Sequence, residues 1–194
     1  MLGLTGSIGM GKSTTASMLA AEGCAVWDAD ASVHALYGPG GGAVAAVAAL
    51  APDAVAAGSV DRARLRAALT RDPTLWLRLE AAVHPLVAAD RERFLADSAA
   101  DIAVLDVPLL YERGIDAECD GVAVASASAA TQMARLLARP GVTPEAAALL
   151  LSRQMPDAQK RALARWIVPT ETLDGARSAV RGIVSEIRSR PGHA

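Results

Sequence analysis

The chain has 194 residues, 52% of them hydrophobic, a formal net charge of −2 and a pI near 5.9. That is long enough for one compact unit with a sound core and room for a small subdomain, while the charge balance gives no basis for a polyanion-binding surface or a membrane patch. Cys24 and Cys119 lie far apart without metal-type spacing, so neither a zinc site nor a disulfide framework is expected, and no run approaches 18 strongly apolar residues.

Met1–Thr5 is a short apolar run that reads as a strand starting at once, which leaves no room for a signal peptide and makes a cytoplasmic location the default expectation. Gly6-Ser7-Ile8-Gly9-Met10-Gly11-Lys12-Ser13 follows, with Thr14 after it. This is the G-x-x-x-x-G-K-S pattern of a phosphate-cradling loop. Glycines let the backbone curl so that successive N–H groups converge on an anion, the lysine reaches the outer phosphates, and the serine hydroxyl takes a place on Mg²⁺. Thr14–Glu22 is an Ala-rich helical pattern stopped by Gly23, so the helix N-terminus points at the phosphates. The plain alternative is a glycine-rich turn into a helix.

Cys24–Trp27 reads as a second buried strand ending in Asp28-Ala29-Asp30. If the extended conformation persists, both acids project to one face. The residues alone leave two roles open for Asp30: catalysis beside the loop, or capping a helix over 31–36. Gly38–Gly42 reads as a linker, and 43–97 reads as helical and rich in arginine, Arg62 included. Such arginines either cover a solvated face or receive an anionic substrate. His84 precedes Pro85, which predicts a helix junction with the proline opening the next helix. His84 is then structural or functional, and spacing does not separate the two.

Ile102–Val107 is a continuous apolar run carrying Asp106, the form of a buried parallel strand with an acid near its end for Mg²⁺ or its waters. Gly121–Ala125 and Trp166–Val168 are the remaining strands. Between them a helical hairpin is expected over 129–138 and 144–155, Thr143 capping the second helix, with basic residues suited to a phosphate-covering lid. A last helix over 174–188 packs on the sheet, and 191–194 should fray. Strands alternating with helices make an α/β fold with a parallel sheet.

Taken together, LTGSIGMGKST, DAD, G-S-V-D-R-x-x-L, H-P, D-V-P-L-L-Y-E and Q-x-x-R-L-x-x-R resemble, in order and spacing, the dephospho-CoA kinase family. The loop is shared by many NTP-using proteins; the DAD and P-L-L-Y-E elements are more particular. The resemblance implies a P-loop kinase with a five-stranded parallel sheet flanked by helices. It implies a core of residues 1–37, 98–128 and 164–194, a helical substrate subdomain over 38–97 and a lid hairpin over 129–163. It implies ATP as phosphoryl donor with Mg²⁺, and the ribose 3′-hydroxyl of dephospho-CoA as acceptor, giving coenzyme A in the last step of its biosynthesis.

Carried over residue by residue, the resemblance makes Asp30 the catalytic acid, with Lys12 and Arg139 assisting transfer. Gly9, Met10, Gly11, Lys12, Ser13, Thr14 and Arg139 would bind the nucleotide. Ser13 would hold Mg²⁺, with Asp106 as an outer-shell acid, and Thr5, Asp30, Arg62 and His84 would lie on the acceptor side. No nucleic acid, membrane or obligate protein partner is implied. Two departures stand out: Ser7 occupies a position where the family commonly has glycine, and no asparagine occurs anywhere in the chain. Adenine contacts near 168–172 are therefore expected from backbone or from Thr170. The rival of the same chemistry is another P-loop kinase of a nucleotide or small hydroxy acid. A GTPase switch is disfavoured because the [NT]-K-x-D base-reading motif is absent.

Overall fold

In the computed structural model, which describes residues 1–190, β1 (Leu2–Thr5) leads through the glycine loop into α1 (Lys12–Ala21), and β2 (Ala25–Asp28) runs directly into α2 (Ala29–Tyr37). There follow α3 (Val44–Leu50), β3 (Val55–Ala56), β4 (Ser59–Val60), α4 (Arg62–Arg71) and α5 (Leu75–Asp97). The chain then makes β5 (Ala103–Asp106), β6 (Gly121–Ser126), α6 (Ala129–Leu137), α7 (Pro144–Ser152), α8 (Asp157–Leu163), β7 (Trp166–Pro169) and α9 (Leu173–Arg188). The expected fraying at 191–194 lies outside the described residues. Among the described residues no helix is long and apolar enough to cross a membrane.

The five long-range strands form one sheet in the order β2-β5-β1-β6-β7. Its ladders are parallel, with Leu4 opposite both Asp106 and Ala123. β1 is central, and the chain leaves it toward one side of the sheet and returns to the other, which is the arrangement that opens a crevice outside the carboxyl ends of the strands. The inner strands β5, β1 and β6 are buried on both faces, as parallel strands covered by helices must be, hence their continuous apolar runs, while the edge strands β2 and β7 are partly exposed. α9 supplies one cover: Ala176, Val180, Ile183, Val184 and Ile187 recur every three or four residues and pack in one cluster with Leu2, Leu4 and Val168.

By density of internal contacts the chain divides into two units, one of Met1–Trp27 with Ser98–Ala194 and the other of Asp28–Asp97. The second has its own core, in which Val47, Val60, Leu65, Leu69, Leu79 and Val83 are buried together. Two features there differ from the sequence reading. The segment 43–97 is not wholly helical, because β3 and β4 pair as a small antiparallel hairpin turned by Ala57 and Gly58, both at positive φ. And the helix does not break at His84-Pro85: α5 runs through, with Pro85 inside it. Both residues are exposed, and the buried Leu79 and Val83 hold the helix on the core side. The glycine-rich run at 38–42 lies within this unit as a tight turn, in which a Cβ on Gly41 would collide with the Leu36 carbonyl.

Besides Asp106, the first unit buries a charge on α8. Lys160 on α8 has no solvent exposure; its ammonium donates to the Glu112 carboxylate (2.9 Å) and to the Pro108 carbonyl (3.2 Å). Glu112 also accepts from the Met155 N–H at 2.9 Å. Burial pushes the Glu112 carboxyl up, but the hydrogen bonds from Lys160 and Met155 outweigh it and hold it below its ordinary value. A carboxylate whose pKa is depressed by folding adds stability that is present above its unfolded pKa, about 4.3, and lost as pH falls through the lower folded value. Glu112→Gln should therefore cost stability at pH 7, at the low end of ~3–5 kcal/mol because Glu112 keeps some contact with water. In thermal melts the gap from the parent protein should narrow below about pH 4; a gap that stays constant from pH 7 to pH 3 would remove the ion pair from this role.

Candidate active site

The glycines of the loop meet different demands. Gly9 and Gly11 have φ of 83° and 87°, the left-handed conformation that a side chain resists, and Gly11 is the residue immediately before α1. Gly6 needs its small size instead: a Cβ there would lie 2.7 Å from the backbone carbonyl of Ala125 on β6. The first glycine lets β1 lie close to its neighbour, and the later two curl the loop. Met10, expected among the nucleotide contacts, has its side chain buried with Sδ accepting from the Ala127 N–H at 3.1 Å, and its own N–H donates to the Ser7 carbonyl at 3.0 Å.

At the C-terminal edge of the sheet, Lys12 Nζ donates to Asp106 Oδ1 at 2.6 Å, the carboxylate being almost fully buried. The strand-end acid foreseen near the loop is thus beside the loop lysine. Ser13 and Thr14 are exposed in the first turn of α1. One hydroxyl and one carboxylate suit a small hard cation that keeps water and phosphate oxygens for its other ligands. Among the described residues no group of three His, Cys, Asp or Glu side chains could cage a metal.

A cleft of about 210 Å³ opens beside the loop, lined by Gly9, Gly11, Thr14, Arg139, Thr172 and Leu173 among others. The volume suits part of a nucleotide rather than a whole one. Arg139 is exposed on the turn after α6, and Arg135, one helical turn before it, also lines the cleft. Adenine contacts near 168–172 were expected from backbone or from Thr170, and the Thr170 side chain is buried and engaged: Oγ1 lies 2.7 Å from the Met10 carbonyl and accepts from Arg135 Nη1 at 3.2 Å. Thr5 is likewise fully buried, its hydroxyl donating to the Pro108 carbonyl at 3.0 Å.

The loop residues, Asp106, Thr5 and Arg139 all belong to the first unit; Asp30, Arg62 and His84 belong to the second. In the second unit the chain turns helical at Ala29, so Asp28 and Asp30 do not share a strand face. The cap of α2 is Asp28, whose carboxylate accepts from the N–H groups of Asp30 (2.8 Å) and Ala31 (3.1 Å). The capping role weighed for Asp30 therefore belongs to its neighbour. Arg62 is the first residue of α4, capped by Asp61, and is exposed, with its charge favouring the ionised hydroxyl of Tyr37, which burial opposes more strongly.

Sequence reasoning overlooked Gln132, Glu112 and Lys160. Gln132 Nε2 donates to the Ile8 carbonyl at 2.7 Å. The signal was available in Q-x-x-R-L-x-x-R and in the scarcity of lysine: the chain has two, and both lie in this unit.

Comparison with known proteins gives one consistent answer. The family model for dephospho-CoA kinase matches residues 1–174. A dephospho-CoA kinase of Cereibacter sphaeroides is 54% identical over 187 residues, covering 96% of this chain and 95% of that one. One from Jannaschia sp. is 53% identical, with 96% of each chain covered. A crystal structure from Thermus thermophilus superposes with a TM-score of 0.84 at 30% identity, over 95% of this chain and 96% of that one.

The Gly6 contact makes a direct prediction. Gly6→Ala should force β1 and β6 apart where the loop begins, lowering stability by about 1–3 kcal/mol in urea titration and weakening ATP binding at least about tenfold. Unchanged ATP affinity in calorimetry would show that the close approach does not matter to the loop.

Proposed function

The chain belongs to the dephospho-CoA kinase family, whose members transfer phosphate, and we propose that it moves the γ-phosphoryl group of ATP to the ribose 3′-hydroxyl of dephospho-CoA, forming coenzyme A. The observation that carries this reading is the pairing of Lys12 with the buried Asp106 under a loop of positive-φ glycines, in a chain matched to that family over residues 1–174.

In phosphoryl transfer the transferring group passes in line between two oxygens with little covalent help from the protein, so catalysis is positioning and charge stabilisation. Lys12 and the N–H groups of Gly9 and of Gly11 to Thr14 would offset charge on the transferring phosphate, the Met10 N–H being turned onto the Ser7 carbonyl. Arg139, exposed at the cleft, would close over the nucleotide. Ser13 would hold Mg²⁺, with Asp106 behind it, and the ion would supply further neutralisation of the triphosphate. Asp30 would orient or deprotonate the acceptor hydroxyl, a role left open to it because Asp28 caps the helix.

Thr5, Arg62 and His84 complete the acceptor-side set of this proposal, Thr5 acting through the position of the β1 end, since its hydroxyl is already engaged. We read residues 38–97 as the substrate subdomain, 129–163 as the lid, and the remainder as the nucleotide core. A cytoplasmic setting, with ATP and dephospho-CoA as the small-molecule partners, belongs to the same reading.

Two measurements test it. Steady-state phosphorylation across dephospho-CoA, adenosine, shikimate and nucleoside monophosphates should show turnover with dephospho-CoA far above the rest; equal turnover with another acceptor would transfer the chemistry to a different small-molecule kinase. Asp30→Ala should lower kcat by about 10²–10⁴-fold with ATP affinity roughly kept. Its melting temperature should stay close to that of the parent protein, whereas Asp28→Ala should lose about 1 kcal/mol of stability as a lost cap. Near-normal turnover in Asp30→Ala would remove it from the chemistry.

A further inference from the structure

A backbone anion site needs its N–H groups turned in, and a planar trans peptide then turns the attached carbonyl out. Those carbonyls must be held by something. In this protein the carbonyls of Ile8, Gly9 and Met10 are held by side chains from outside the loop, the N–H attached to the Gly9 carbonyl, that of Met10, donating to the Ser7 carbonyl at 3.0 Å. Gln132 Nε2 on α6 donates to the Ile8 carbonyl at 2.7 Å. Arg135 Nη1, one turn along the same helix, reaches the Gly9 carbonyl at a longer 3.4 Å. Thr170 Oγ1, just beyond β7, lies 2.7 Å from the Met10 carbonyl and 3.2 Å from that of Ser126, so its single proton goes to Met10. Arg135 also fixes Thr170, its Nη2 donating to the Thr170 carbonyl at 2.5 Å and its Nη1 to the hydroxyl at 3.2 Å.

We infer that Gln132, Arg135 and Thr170 are positioning residues that form a collar around the phosphate loop, pinning the carbonyls of residues 8 to 10 outward so that the N–H groups of Gly9 and Gly11 face the phosphates. The inference rests on reading the loop as the ATP site but not on which acceptor is used. Packing supports it from the other side. A Cβ on Gly9 would lie 3.1 Å from the Gln132 carbonyl, and one on Gly11 would lie 3.0 Å from Thr170 Oγ1. The collar therefore touches the loop at the two glycines with left-handed backbone. Gln132 and Thr170 are both buried, so water is a poor substitute for either donor.

The experiment is ATP binding by calorimetry without acceptor, on Thr170→Val and Gln132→Met, each of which removes the donor and keeps the volume. Each should weaken ATP about tenfold, the equivalent of one lost buried hydrogen bond. Thr170→Ser should restore near-parental affinity. In turnover, the KM for ATP should rise while the KM for dephospho-CoA stays within about twofold, a split that a mere loss of folded enzyme would not produce. Parental ATP affinity in the folded variants would overturn the collar. So would a fall in active fraction with KM for ATP unchanged. If one variant fails to fold, the other decides, because the two pins sit on different elements. An absence of dephospho-CoA turnover in the parent protein would refute the proposed reaction and leave this binding test intact.

Discussion

The rest of the first unit depends on how a curled stretch of backbone can present donors to an anion without stranding its acceptors. Every N–H turned toward phosphate carries a carbonyl turned away from it, and a buried carbonyl without a donor costs about as much as the hydrogen bond it lacks. The loop cannot solve this alone, because its glycines supply conformational freedom and no side chains. Donors come from α6 and from the end of β7, so both must be held at a fixed distance from residues 8 to 10. Glu171 does part of this: it accepts from the Ser128 N–H at the start of α6 and from the Thr131 hydroxyl at 2.7 Å, bonds that hold its carboxyl below the ordinary carboxylate range. The residue beside Thr170 therefore anchors the helix that carries Gln132 and Arg135.

A second carbonyl organises the opposite flank. Pro108 O accepts from the Thr5 hydroxyl and from the Lys160 ammonium, joining the end of β1 to the turn after β5. Glu112 balances the charge of Lys160 and takes the Met155 N–H. The Gln154-Met155 segment then meets the first half of the loop, where Gln154 Oε1 accepts from Ile8 N–H at 2.9 Å and the Met155 carbonyl accepts from the Ser7 hydroxyl at 3.4 Å. A lysine is understandable here in a chain otherwise dominated by arginine. The ammonium is a compact charge on a thin stem, and it can sit fully buried beneath a carbonyl and a carboxylate where a planar guanidinium would need more room. The loop is thus held on one side by α6 and β7 and on the other by the segment between α7 and α8.

What could be read from residues and what could not divides along range of interaction. The five strands of the main sheet and the Thr143 cap with Pro144 behind it were legible because each is specified by neighbours a few positions away, whereas α1 starts at Lys12 rather than at the expected Thr14. Asp106 was legible as an acid near the end of a buried strand, but its bond to Lys12, 94 positions away in the chain, was not. The reason for Gly6 was not, since it depends on the Ala125 carbonyl, 119 positions along the chain. The same holds for Thr170, whose hydroxyl looked available to a base until the Met10 carbonyl was seen against it. The unbroken α5 is a different kind of miss. A proline's local preference for a helix start was outweighed by the packing of Leu79 and Val83 on the buried side and by solvent on the other.

Asp28 and Asp30 show how such long- and short-range readings combine. Two acids spaced by two residues present one face only while the chain stays extended, and here the strand ends between them. The helix that begins at Ala29 needs an acceptor for its first N–H groups, and Asp28, still in the extended conformation with φ −104° and ψ 115°, is placed to supply it. One acid is consumed by the architecture, and that consumption is what leaves the other without a capping duty. The D-A-D spelling is then a division of labour across a strand-to-helix junction rather than a paired carboxylate site: the first aspartate builds the helix on which the second is carried, and a substitution that spares the first tests the second without disturbing its support.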